Sequence, residues 1–274
     1  MSNHSLPFSL QRCAEFGDSM RPDSEVRWAK NSPNACVIFV HGFNGSAVET
    51  WGDFGRLAVA DQEFSRADLY FLSYESRTRP AVFNVAALYQ IVKCVAAQST
   101  VIHRHIRGRE RSEPFSYDLI VLVGHSLGGA LVRQLAMLAK REEREWAERL
   151  RLVLFAPAHV GANIIELAQQ GWGFLKWMGP LEALAIYFFP VLRDLRKDSD
   201  FLKQLKKAAK KIGLHRTSRA HTVVHASDDK VVFQDLFYKD PPTTPYEGKD
   251  HGSCCKPSVG GFAKPLRDLA GALK

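Results

Sequence analysis

The chain has 274 residues, enough to bury one sizeable α/β core and short for two. With 46% hydrophobic and 24% charged residues it is neither disordered nor fibrous in composition, and no apolar run reaches the length of a membrane span. A net charge of +8 and a pI of about 9.3 raise nucleic acid or an anionic surface as partners.

Much of that charge is local. Lys203, Lys206, Lys207, Lys210 and Lys211 fall in one expected helix. A solvated helix face explains them most simply, and weak attraction to anionic lipid head groups is the alternative. No aromatic residues interleave with the basic ones as a base-stacking surface requires, so no nucleic acid partner is expected. Five scattered cysteines without a CxxC pair offer neither a zinc knuckle nor a redox motif. The opening MSNHSLPFSLQRCAEFGDSM lacks the apolar core of a secretory signal and carries Glu15 and Asp18. The expected location is cytoplasmic, with room for peripheral membrane contact.

In chain order, Cys36–Val40, Leu69–Leu72, Leu119–Val123, Leu152–Phe155 and Thr222–His225 read as strands. Their apolarity is continuous rather than alternating, which suits strands covered on both faces. Ala81–Ile106, Leu127–Arg149 and Phe201–Ile212 have helical spacing. Strands alternating with helices predict a mainly parallel, doubly wound α/β sheet within a single domain over residues 1–274. Asn163–Pro190 breaks the alternation. It is rich in large apolar residues, among them Trp172, Phe174 and Trp177, and Gly171, Gly173, Gly179 and Pro180 cut it into short helices. Such a stretch either packs on the core or caps the strand ends, as a helical cap over about 163–198 with Trp172, Phe174 and Trp177 lining an acyl pocket.

Chemistry concentrates at Gly124-His125-Ser126-Leu127-Gly128, which directly follows the strand LIVLV and directly precedes a helix. A serine at so sharp a turn sits in strained backbone, and residues two positions away must lack bulk. Ser126 is therefore the expected nucleophile. A tetrahedral oxyanion needs two fixed donors. One is expected from the Leu127 N–H, and the other from the Phe43 N–H in the loop His41-Gly42-Phe43-Asn44-Gly45 after the first strand. A serine also needs a base and the base an orienting acid, which follow in the order acid, then histidine. The loop Ser227-Asp228-Asp229-Lys230-Val231-Val232 offers two acids, and His251 in Lys249-Asp250-His251-Gly252 is the last histidine of the chain.

The HGFNG, GHSLGG, SDDKVV and DHGSCCKP segments resemble the α/β-hydrolase superfamily. More narrowly, they resemble the serine esterases and lipases related to glycosylphosphatidylinositol-inositol deacylases. FAPAHVGA is similar to that family's post-elbow TPHxGS segment, with Ala158 departing from it, and LRDLRKDSDFLKQL to the segment that returns from the lid. The likeness runs from about Cys36 to the C-terminus. It implies an α/β-hydrolase fold with a helical cap and a Ser126–His251–Asp229 triad, Asp229 being preferred to Asp228 because the family's loop reads Asp-x-Val-Val. It also implies ester hydrolysis through an acyl-enzyme, with no metal or organic cofactor, and the large apolar residues of Asn163–Pro190 lead to the expectation of lipid-like or medium-to-long acyl esters. His159 is read as a structural hydrogen-bonding residue. A thioesterase or acyltransferase on the same site stays open, as does a non-catalytic lipid- or partner-binding module on a hydrolase scaffold.

Overall fold

The computed structural model describes residues 11–12, 24–29, 31–97, 116–171, 182–213, 219–237, 239–243 and 245–274. Among the described residues seven strands form one sheet: β1 (Gln11–Arg12), β2 (Glu25–Arg27), β3 (Ala35–Val40), β4 (Ala67–Leu72), β5 (Leu119–His125), β6 (Leu150–Phe155) and β7 (Thr222–Val224), in the order β1-β2-β4-β3-β5-β6-β7. From β4 to β7 all neighbours are parallel, and β1 and β2 join antiparallel at one edge. Every residue of β3 and β4 is buried, which is why these strands read as continuous apolar runs. The sheet is the mainly parallel α/β sheet that the alternation predicts.

Eight α-helices are described: α1 (Phe54–Ala60), α2 (Ala81–Ala97), α3 (Leu127–Arg141), α4 (Ile164–Gly171), α5 (Glu182–Phe188), α6 (Val191–Asp194), α7 (Asp200–Ile212) and α8 (Lys264–Ala272). Helix α3 lies between α2 and α7, and α1 meets α8, so two groups of helices cover the sheet. Among the described residues no helix is long and apolar enough to cross a membrane.

The α3 region differs from the expectation. The helix expected over Leu127–Arg149 ends at Arg141, and a 3-10 turn covers Glu145–Arg149. Glu143 takes a positive φ of 54° there, turning the chain so that Trp146 packs 5.6 Å from Tyr89 and β6 starts at Leu150. The helix expected over Ala81–Ile106 is described to Ala97, and its remainder lies outside the described residues. Beyond β7 the sheet continues, among the described residues, as a single parallel bridge, Ala226 to Tyr246. Prolines 241, 242 and 245 precede Tyr246 and cannot donate to a ladder.

Candidate active site

The candidate site is built at the C-terminal ends of β3, β5 and β6 and on the loops beyond β7. Strand β5 ends at His125, and Ser126 turns the chain directly into α3 with φ 54° and ψ −121°. That is sparsely populated backbone for a residue with a Cβ. The turn is held by three main-chain bonds: Ser126 N–H donates to Phe155 O (3.1 Å), and Ser126 O accepts from Gly129 (3.0 Å) and Ala158 (3.0 Å). The flanking glycines answer to close approach. A Cβ at position 124 would lie 2.6 Å from Gly129 Cα, and one at 128 only 2.1 Å from Val40 O.

Ser126 is brought to the two other residues expected to act with it. Its Oγ lies 2.9 Å from His251 Nε2, and His251 Nδ1 lies 2.9 Å from Asp229 Oδ2. Ser126 and His251 are both buried, at 1% and 2% exposure, so this chain of contacts is shielded from bulk water. The other Asp229 oxygen, Oδ1, accepts from the N–H groups of Val231 (2.8 Å) and Val232 (3.1 Å). Burial opposes the charge on Asp229, but the bond from His251, that ring's charge and the two backbone donors outweigh it and hold the carboxyl below its usual pKa. Asp228 is exposed and takes its hydrogen bond from Ser227 Oγ at 2.9 Å.

His251 stands on a loop closed by its neighbours. Ser253 N–H donates to Asp250 Oδ1 (2.8 Å), and Asp250 N–H donates to Ser253 Oγ (3.0 Å). The His251 carbonyl accepts from His125 Nε2 at 2.8 Å and from the Cys254 thiol at 3.5 Å.

The loop after β3 presses against the turn at Ser126. A Cβ at Gly42 would fall 2.7 Å from Ser126 Cβ. The His41 carbonyl accepts from Tyr74 Oη (2.7 Å), and the His41 ring stacks on Tyr74 with centroids 4.5 Å apart. Phe43 follows, and its ring meets Phe189 edge to face at 5.4 Å. Leu127 opens α3, where the first N–H groups have no carbonyl one turn back to bond, and their dipoles favour negative charge. Phe189 belongs to the apolar stretch, yet its proximity to Phe43 has no signature in the sequence.

Trp172, Phe174 and Trp177 lie outside the described residues. On either side of them the apolar stretch holds two short helices, α4 and α5. His159 departs from the role expected of it. The ring is buried against Phe237 (4.7 Å), and neither nitrogen has a hydrogen-bond partner among the described residues. Burial, with Arg133 and His225 nearby, holds its pKa well below 6.5.

A sequence model of the alpha/beta hydrolase family matches residues 37–255. The chain therefore belongs to the α/β-hydrolase family. Among solved structures it is similar in fold to a lipase of Bacillus licheniformis, BlEst2 in its mature form. That likeness has 15% identity and a TM-score of 0.57, covering 90% of this chain and 97% of that one. It is also similar to an esterase of Pyrobaculum calidifontis, with 18% identity, TM-score 0.53, and coverage of 91% and 77% respectively. No curated protein sequence matches the chain.

Proposed function

We propose that the protein is a serine hydrolase of carboxylic esters, with Ser126 as nucleophile, His251 as general base and acid, and Asp229 as the orienting carboxylate. The observation that carries this reading is the unbroken contact series Ser126 Oγ, His251 Nε2, His251 Nδ1, Asp229 Oδ2, with 2.9 Å at each polar step. His251 Nε2 takes the Ser126 proton as Oγ bonds to the substrate carbonyl carbon. The N–H groups of Phe43 and Leu127 receive the oxyanion. The tetrahedral adduct collapses, the C–O bond breaks, and His251 returns the proton to the departing alcohol. Water then attacks the acyl-enzyme, giving its proton to His251, and the free acid leaves as Ser126 is reprotonated.

The substrate class follows from the segment beside Phe43. Residues 163–198 form a helical cap in this reading, with Trp172, Phe174 and Trp177 along an acyl pocket. Phe189 already meets Phe43 at the edge of the site. Each buried methylene contributes ~0.8 kcal/mol, so a few shift binding by factors of ten or more. This favours lipid-like or medium-to-long acyl esters, in keeping with the resemblance to esterases and lipases related to glycosylphosphatidylinositol-inositol deacylases. Lys203, Lys207, Lys210 and Lys211 are exposed on α7 and would add a salt-sensitive attraction to anionic lipid.

Fluorophosphonate labelling tests the nucleophile. The wild type should label once per chain and Ser126→Ala not at all, with an unchanged circular dichroism spectrum; stoichiometric labelling of the variant would remove Ser126 from the role. Across p-nitrophenyl esters of graded length, kcat/KM should rise beyond four carbons. A maximum at acetate, with loss of activity at eight carbons, would overturn the lipid-like substrate class.

A further inference from the structure

We propose that His125 is a positioning residue that fixes His251 through its main chain. This inference rests on the ester-hydrolase reading of the same site. Successive side chains of a regular strand point to opposite faces. The left-handed turn at Ser126 ends that alternation, and residues 125 and 126 both reach His251. Ser126 Oγ meets the ring at Nε2 (2.9 Å), while His125 Nε2 meets the carbonyl of the same residue (2.8 Å). The two histidine rings lie 4.9 Å apart at 44°. His251 is thus gripped at ring and backbone by consecutive residues of one rigid turn, and at Nδ1 by Asp229. The loop bearing it is set by the element bearing the nucleophile.

The chemistry of the contact defines the state of His125. A carbonyl only accepts, so His125 Nε2 must carry the proton. Burial, then the charge of His251, push the His125 pKa down to about 3, so the ring is neutral at any pH where the site works. Its Nδ1 is buried with no hydrogen-bond partner among the described residues, and Trp51 sits edge-on 6.4 Å away. A neutral donor holds the carbonyl without setting a second positive charge beside the imidazolium that forms in the reaction. The titratable or charged groups that act on the pair are Asp229 and Lys256 on His125, with Asp229, Asp250 and Cys254 adjoining His251.

H125F and H125Q separate this role from packing. The glutamine side chain can place an N–H near the position of the histidine Nε2, whereas phenylalanine fills the space without a donor. H125F should lower kcat on the order of 10- to 100-fold, as a misplacement of about 1 Å does, with KM little changed, and should shift the acidic limb of the kcat pH profile. H125Q should restore most of kcat. A second readout needs no turnover: proton NMR of the hydrogen shared by His251 Nδ1 and Asp229, which H125F should broaden or lose and H125Q retain. If H125F does not fold, H125M removes the same donor with a more adaptable side chain. Unchanged kcat and an unchanged resonance in the donor-free variant would overturn the proposal, as would H125Q behaving like H125F. A wild type that neither labels nor hydrolyses esters would refute the ester-hydrolase reading instead, while the NMR comparison still decides the clamp.

Discussion

Asp229 meets His251 with one carboxylate oxygen and its own loop with the other, so one side chain links the His251 ring to the Val231–Val232 backbone. Oδ2 faces His251 Nδ1, and Oδ1 is held by Val231 and Val232 N–H. Asp228, one residue earlier, points to solvent and bonds Ser227. Asp229→Asn should lower kcat by about 10³–10⁴, because the imidazole loses its tautomer and its charge partner. Asp228→Asn should stay within about threefold of wild type, well short of the effect of losing a buried orienting group. Esterase kinetics on the two purified variants check this, and equal losses would move the orienting role elsewhere.

Three of the buried histidines make the fold sensitive to acid. Burial holds His125, His159 and His225 below the ordinary value of 6.5, His125 at about 3. Each ring binds a proton in the unfolded chain below about 6.5 but not in the fold. Unfolding therefore takes up protons, and stability falls as the pH drops from 6.5 toward the folded values. His159 lacks any hydrogen-bond partner among the described residues, so His159→Phe removes a titrating group without breaking a bond seen there. Between pH 6 and 4 the variant should lose stability less steeply than the wild type. Urea unfolding at several pH values reads the slope, and parallel slopes would contradict the assignment.

Arg133 on α3 and Asp240 form an ion pair with both side chains buried, at 0% and 1% exposure. The contact is bidentate, Nη1 to Oδ1 and Nη2 to Oδ2, and Asp240 Oδ1 also accepts from Ala220 N–H at 3.0 Å. Asp240 lies in the connector between Asp229 and His251, so the pair ties that connector to the helix following Ser126. Asp240→Asn should destabilise by about 3–5 kcal/mol, since it removes the negative charge that faces a buried guanidinium. R133M/D240L should recover most of the loss. Chemical denaturation of the three proteins decides, and a double variant as weak as the single one would show that the pair stabilises beyond its own desolvation.

Two glycines should respond oppositely to alanine. At Gly128 the added methyl would meet Val40 O at 2.1 Å and His41 O at 2.5 Å, both in main chain at the centre of the sheet. Gly128→Ala should cost several kcal/mol or abolish folding. At Gly271, near the end of α8, a Cβ meets nothing within 4 Å. Gly271→Ala should raise stability by about 0.5–1 kcal/mol through lower chain entropy and better helix propensity. Melting temperatures of the pair provide the measurement.

The continuous apolar runs were enough to place the parallel strands, because burial on both faces leaves no alternation to read. The strained turn at Ser126 was equally legible, since it demands glycines at 124 and 128 whatever the rest of the chain does. Strand β2 was not: Glu25-Val26-Arg27 is short and charged, and pairs only because β4 presents an edge. The end of α3 at Arg141 was missed for a similar reason, as the chain must return Trp146 to Tyr89 before β6 begins.

Sequence alone determined which residue types stand at the turn of Ser126, in the loop after β3 and at the two later loops, because local backbone strain and chain order constrain them. It left Asp228 and Asp229 separated only by a resemblance, and was silent on the contact of His125 with His251 and of Phe43 with Phe189. Only the tertiary structure shows those contacts, and that Asp229 rather than Asp228 is the one beside His251. Asp229 and His251 are 22 residues apart and Ser126 and His251 are 125 apart, so their distances depend on how the parallel sheet stacks its strand ends. A sequence pattern records what each residue's own backbone requires, whereas a contact between distant residues is set by the packing of everything between them.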